Sequence, residues 1–353
     1  MLLSAHPSGN GNRLKDGLTY GLAFIFLFLF RLNLPAEEIN REISLQGEWR
    51  FEIGDNLDYA ESSFDDSQWE KIEVPGAWEN EGFPGYDGYA WYRITFHVPR
   101  GLRNKNLILK LGQIDDVDRT YFNGKLIGGE GDFPPKYRTA YDVSRHYEIP
   151  TTFVNFDDEN VLSLRVFDLQ GSGGIVRGDV GLYSKTDILK LKVDLSGMWN
   201  FRPGDRPEWA AADFDDSGWR MIPVPGFWEQ QGFPNLDGFA WYRKYVRLSA
   251  PLTDKKLILI LGKINDVDEV FFNGAQIGAI GRANPENDDE KNSFRNIERA
   301  YFIPPYLLQA NATNTIAVRV YDFSKKGGIY AGYIGITTRE EFLRYSKRKK
   351  EPN

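Results

Sequence analysis

Two acidic residues, Asp116 and Asp118, stand two positions apart and recur 150 positions later as Asp266 and Asp268. Alternation along a strand puts such residues on one face. A carboxylate pair there can work as general acid and base, ligate a calcium ion, or pair with an interior cation, which a buried charge requires. Arg165 and Arg319 are the expected partners for the last use. The structural and ligand-contacting uses of these four acids both stay open on sequence alone. A second group of residues suits carbohydrate. Sugars present C–H faces ringed by hydroxyls, so a site needs a flat ring with polar groups at its rim. Trp78, Glu79, Asp87 and Trp91 supply both in one short segment, and Trp228, Glu229, Asp237 and Trp241 repeat it. Core packing is the competing use of these rings, as it is for Trp49 and Trp69. A glycine-rich loop follows Asp168, and its copy follows Asp322. Glycine permits close backbone approach to a ligand as well as a tight turn. Arg93 and Arg243 either hold strands together or meet a ligand.

The elements that must position these residues come in duplicate. Residues 43–128 align without gaps onto 193–278, and half of the aligned positions are identical. Beyond a variable loop, residues 129–144 in one copy and 279–298 in the other, the offset becomes 154 and pairs Arg145 with Arg299 and Asp168 with Asp322. A unit of that length buries its own core, so the repeats predict two whole domains rather than solenoid turns. We place them at 39–186 and 190–338. Within each, short apolar runs such as Leu107–Leu111 and Leu257–Leu261 end in glycine, as strands do. Asn123-Gly124 and Asn273-Gly274 are hairpin turns, because both residues accept positive φ. No long 3.6-residue period appears; residues 209–212 are the best helical turn. The predicted fold class is all-β: two tandem jelly-roll β-sandwiches.

Composition excludes several functions. A net charge of −7 argues against nucleic acid, whose phosphates are gripped by clustered Lys and Arg. The one basic cluster, within residues 339–353, reads as a solvated tail. With no cysteine and three histidines, thiolate metal sites, disulfides and cysteine nucleophiles are ruled out, and a serine–histidine relay is poorly supplied. No cofactor is called for; a structural calcium ion is the one metal such acids suggest, and the sequence leaves it unsupported. Near the N-terminus, residues 21–30 are continuously apolar between basic flanks. That run is too short to span a bilayer but fits a signal peptide within residues 1–36, with a retained anchor as the alternative. The expected location is therefore periplasmic, secreted or at the cell envelope, with membrane contact only through that segment.

Five motifs in fixed order resemble the N-terminal sugar-binding domain of family 2 glycoside hydrolases, the group of β-galactosidases and β-glucuronidases. They are Phe-Asp-Asp-Ser-x-Trp at 64–69 and 214–219, Val-Pro-Gly-x-Trp at 74–78 and 224–228, and Trp-Tyr-Arg at 91–93 and 241–243. Phe-Asn-Gly at 122–124 and 272–274 and Arg-Val-x-Asp at 165–168 and 319–322 complete the set. The stretch Leu-Gly-x-Ile-x-Asp-Val-Asp at 111–118 and 261–268 is also similar to the β-domain of sialate O-acetylesterases. The resemblance implies a galactose-binding-like fold and a substrate-contacting role for Asp168 and Asp322. The catalytic domain of either family would not fit in the chain beside two jelly rolls, so the resemblance carries the accessory role and not the hydrolysis. The expected function is an exported, non-catalytic carbohydrate-binding protein whose ligand is a glycan, with a partner hydrolase or envelope protein as a further candidate contact. An assembly module that has lost its sugar is the alternative, and a hydrolase with an unrecognised site is the second.

Overall fold

The apolar strand runs join sheets and both Asn-Gly pairs turn hairpins in the computed structural model, which describes residues 39–185, 189–282, 294–324 and 326–350. The expected export segment, residues 1–36, lies outside the described residues, as do residues 283–293 of the second variable loop. In the first repeat the strands are β1 (Ile39–Ser44), β2 (Gly47–Ile53), β3 (Glu70–Val74), β4 (Gly88–His97), β5 (Leu107–Asp115), β6 (Val117–Phe122), β7 (Lys125–Gly128), β8 (Ser144–Ile149), β9 (Glu159–Asp168) and β10 (Gly174–Lys185). They form a four-stranded sheet, β1-β10-β5-β8, and a six-stranded sheet, β3-β2-β4-β9-β6-β7. The second repeat supplies β11 (Val193–Asp194), β12 (Gly197–Pro203), β13 (Arg220–Val224), β14 (Gly238–Arg247), β15 (Leu257–Asn265), β16 (Val267–Phe272), β17 (Ala275–Ile280), β18 (Glu298–Ile303), β19 (Thr313–Asp322) and β20 (Gly328–Thr338). Its sheets, β11-β20-β15-β18 and β13-β12-β14-β19-β16-β17, repeat the topology strand for strand. Among the described residues the pairings between these strands are antiparallel. The expected all-β sandwich fold is the observed one.

Local chemistry explains the register. Phe122 pairs with Lys125 across the Asn123-Gly124 turn, where φ is 49° and 76°. Both residues tolerate those angles, and the twist of such a turn matches that of the flanking strands. Between the two sheets of the first sandwich lie Trp49, Phe51, Trp78, Tyr92, Leu109 and Leu164, among others. The six-stranded sheet is also covered on its outer face. Trp91 packs there with Trp69 and Ala60, under Tyr59, Phe64 and Tyr121. Strand β4 is therefore buried on both faces over Ala90–Arg93, which explains its unbroken run of large residues.

The C-terminal segment keeps its basic side chains Arg344, Lys347, Arg348 and Lys349 exposed but is helical and docked. Residues Arg339–Lys350 form an α-helix whose Tyr345 packs, 5% exposed, in one cluster with Ile258, Ile260 and Leu189. The reason lies in β15. Where β5 carries Lys110 on its outer face, β15 carries Ile260, and an isoleucine there needs a cover. Among the described residues no helix is long and apolar enough to cross a membrane.

Candidate functional site

Asp118 sits on β6 with its side chain fully buried. Arg145, on β8, donates from Nε to Asp118 at 2.9 Å, and the Tyr147 hydroxyl donates at 2.8 Å. Arg145 also donates to the backbone carbonyls of Ala140, Val143 and Asp116, so four of its five N–H groups are bonded. The second copy repeats this, with Arg299 at 2.7 Å from Asp268 and Tyr301 on the same carboxylate. Asp118 and Asp268 are therefore interior ion pairs. Their partners are not Arg165 and Arg319. Arg165 pairs across β6 with Arg119, one register position from the Val166–Asp118 pair, and so faces the opposite side of the sheet. There it holds Asp55, while Arg319 holds Asp205.

Asp116 does not share a face with Asp118. It lies at the bend between β5 and β6, and turns to the end of the sandwich. Its carboxylate accepts hydrogen bonds from the Tyr137 hydroxyl at 2.6 Å, the Leu169 amide at 3.1 Å and the Thr139 hydroxyl. Asp115 and Asp168 stand beside it, and carboxylate oxygens of the three lie within 4.8 Å of one another. Asp168 is fully buried; its Oδ1 accepts the Gln170 amide at 3.2 Å, and its Oδ2 has no partner. Among the described residues no ion pair reaches any of the three. Burial and then the neighbouring carboxyl of Asp116 push the Asp115 pKa up to about 7. Burial raises Asp168 to about 7 as well, with Asp116 and Asp87 adding to it. Burial works against the Asp116 charge too, but hydrogen bonds from Asp115, Thr139 and Tyr137 outweigh it and hold the pKa below the ordinary value.

The tryptophan platform is absent from both copies. Trp78 and Trp228 are fully buried, as are Trp91 and Trp241. Trp78 donates from Nε1 to the Tyr86 carbonyl at 3.0 Å and lies against Gly173, where a Cβ would sit 2.1 Å from its ring. Trp228 has the same relation to the Leu236 carbonyl and to Gly327. The glycines thus serve ring packing rather than ligand approach. Glu79 accepts the Gly173 amide at 3.0 Å, and Glu229 accepts the Gly327 amide at 3.0 Å, so both acids pin the loop after β9 or β19. Of the proposed rim only Asp87 and Asp237 are exposed. Arg93 and Arg243 take the structural role: each is buried, paired with Asp66 or Asp216, and bonded to turn carbonyls.

The second sandwich differs at the acid cluster. Asn265 replaces Asp115, and Arg295 donates from Nε to Asn265 at 2.6 Å and to Asp266 at 2.9 Å. Asp322 is fully buried, and burial followed by the Asp266 charge raises its pKa to about 8. The acids that converge in the first copy include one that motif reading missed, Asp115, together with the loop residues Tyr137 and Thr139. Asp115 precedes the repeated acid directly and differs between the copies, which was the available signal. Tyr137 and Thr139 come from the variable loop, where no repeat could mark them.

No protein-family model matches the chain. It is similar to a β-galactosidase of Bacteroides ovatus, 26% identical over 166 residues, which are 43% of this chain and 18% of that protein. A putative β-glucuronidase of Formosa agariphila is 24% identical over 142 residues, 36% of this chain and 13% of the relative. The chain resembles the sugar-binding part of family 2 glycoside hydrolases. Its matches span less than a fifth of the length of these relatives. Among solved structures, a β-glucuronidase of Bacteroides uniformis covers 81% of this chain and 28% of its own, at a TM-score of 0.35 and 19% identity. A β-glucuronidase of Ruminococcus gnavus in complex with D-glucuronic acid covers 86% and 45%, at 0.35 and 13%. The motifs that carry this resemblance build framework. Phe64-Asp65-Asp66 delivers Asp66 to Arg93, Asn123-Gly124 turns a hairpin, and Trp78 stacks on the Gly173 backbone.

Proposed function

We propose that the chain is an exported, non-catalytic carbohydrate-binding protein whose ligand end is the loop end of the first sandwich. One observation carries this reading. The half-buried rings of Tyr89, Phe133 and Tyr137 gather around Phe167 beside the Asp115–Asp116 bend, with ring centroids 4.7, 6.5 and 5.8 Å from that of Phe167. Partly open rings beside hydrogen-bonding acids are what a sugar needs. Similarity to a β-galactosidase and a putative β-glucuronidase supports a galactoside or glucuronide as ligand class. The apolar run with basic flanks at 21–30 supports export. The non-catalytic reading is supported by Asp118 and Asp268, which are locked in buried ion pairs and so closed to acid–base work. Calorimetry with galactosides, glucuronides and sialosides is the test. Binding that falls at least about tenfold in Tyr137→Ala supports the proposal; a folded protein that binds none of these sugars defeats it.

Burial of Trp78 and Trp228 favours a second reading, a module that binds a partner hydrolase or an envelope protein and no sugar. Partner capture that is indifferent to Tyr137→Ala would favour it. Turnover of a chromogenic galactoside that disappears in Asp116→Asn would replace both readings with a hydrolase.

A further inference from the structure

The two sandwiches solve one electrostatic problem in two ways. At the bend before β16, Asp266 has a guanidinium against it, and the neighbouring side chain is the neutral Asn265. At the bend before β6, the equivalent positions are Asp116 and Asp115, with Asp168 alongside, and among the described residues no cationic side chain pairs with their carboxylates; Arg145 reaches only the Asp116 carbonyl. The position aligned with Arg295 is identified by the backbone. Arg299 donates to the carbonyls of Phe294 and Ile297, and Arg145 donates to those of Ala140 and Val143. Arg295 therefore corresponds to Tyr141, an exposed and uncharged side chain.

We propose that Asp115, Asp116 and Asp168 form a calcium site in the first sandwich, at the place where the second sandwich uses the Arg295 guanidinium. Two observations point to a ligand. Asp168 is fully buried with Oδ2 unbonded, and the residue turns into the same space as the other two acids. The homologous place in the same chain holds a positive group. Carboxylate oxygens select a hard cation, and oxygens on opposite sides of a calcium ion at about 2.4 Å stand up to about 4.8 Å apart. The carboxylate oxygens of the three acids lie within that limit of one another. Asp115 is the partly open member, so water completes the shell on its side. The ion ties the β5–β6 bend to the loop after β9.

The test is calorimetry of chelator-treated full-length protein with calcium chloride, with magnesium as competitor, and melting curves in parallel. The expected result is one calcium per chain and a higher melting temperature with calcium than with chelator. Asp115→Asn copies the second sandwich and so is compatible with folding; it should weaken binding at least about tenfold. Tyr141→Arg supplies the missing guanidinium and should do the same, while Asp322→Asn leaves the stoichiometry at one. In reverse, Asn265→Asp with Arg295→Ala should add a second calcium. Absence of calcium binding by folded protein overturns the proposal, as does binding that survives both Asp115→Asn and Tyr141→Arg.

Discussion

Arg295 donates from Nε to Asp266 at 2.9 Å, and among the described residues the first sandwich has no counterpart of that bond at the Asp116 carboxylate. Topology and hairpin turns, and the inner tryptophans Trp49 and Trp199, repeat between the copies, whereas the charge at this bend does not. The two copies thus differ in charge at this bend while both faces of β4 and β14 stay packed.

Arg145→Met should destabilise the protein by about 3–5 kcal/mol, because it leaves the Asp118 carboxylate buried and unpaired. Adding Asp118→Leu should recover much of that loss, since a well-packed apolar pair is often as good as an interior ion pair. Urea unfolding of the single and double variants measures both, and a double variant no better than the single refutes the pairing account.

Trp78→Ala should cost about 3–5 kcal/mol through the cavity it leaves. Gly173→Ala, which sets a methyl against that ring, should cost about 1–3 kcal/mol. If Trp78 were a binding platform, Trp78→Ala would instead abolish ligand affinity with stability unchanged; denaturation and binding measured on one sample separate the two.

Stability should fall as pH rises from about 4.5 to about 7, in part through Glu229. Burial lifts this carboxyl from 4.5 to about 7 in the folded chain. Below the unfolded value both states hold the proton and the group costs nothing. Between the two values only the folded state holds it, so each step up in pH favours unfolding until the folded group also ionises. Asp322, raised to about 8, contributes in the same direction. Glu229→Gln should flatten the profile over that window, and an unchanged slope in chemical denaturation from pH 4.5 to 7 would refute the assignment.

Tyr345→Ala should cost about 2–4 kcal/mol and uncover Ile258 and Ile260. Increased dye binding to exposed apolar surface, with β-sheet circular dichroism retained, is the expected signature. A wild-type melting curve would show that the helix is not needed as a cover.

By itself the amino-acid sequence determined the duplication, the strands and the Asn-Gly hairpins, because these depend on local propensity and alternation that nearby residues set. The likeness to family 2 hydrolases was legible for the same reason: its motifs are contiguous. Which face each residue takes was decided only by the tertiary structure. Arg165 looked like the partner of Asp118, yet a difference of one register position sends it across the sheet, and Arg145 arrives from a different strand in the other sheet. Trp78 looked like a platform until the loop after β9 closed on it. Asp115, Asp168 and Tyr137 lie far apart in sequence, and their meeting depends on how two loops and a strand bend converge, which no local pattern encodes.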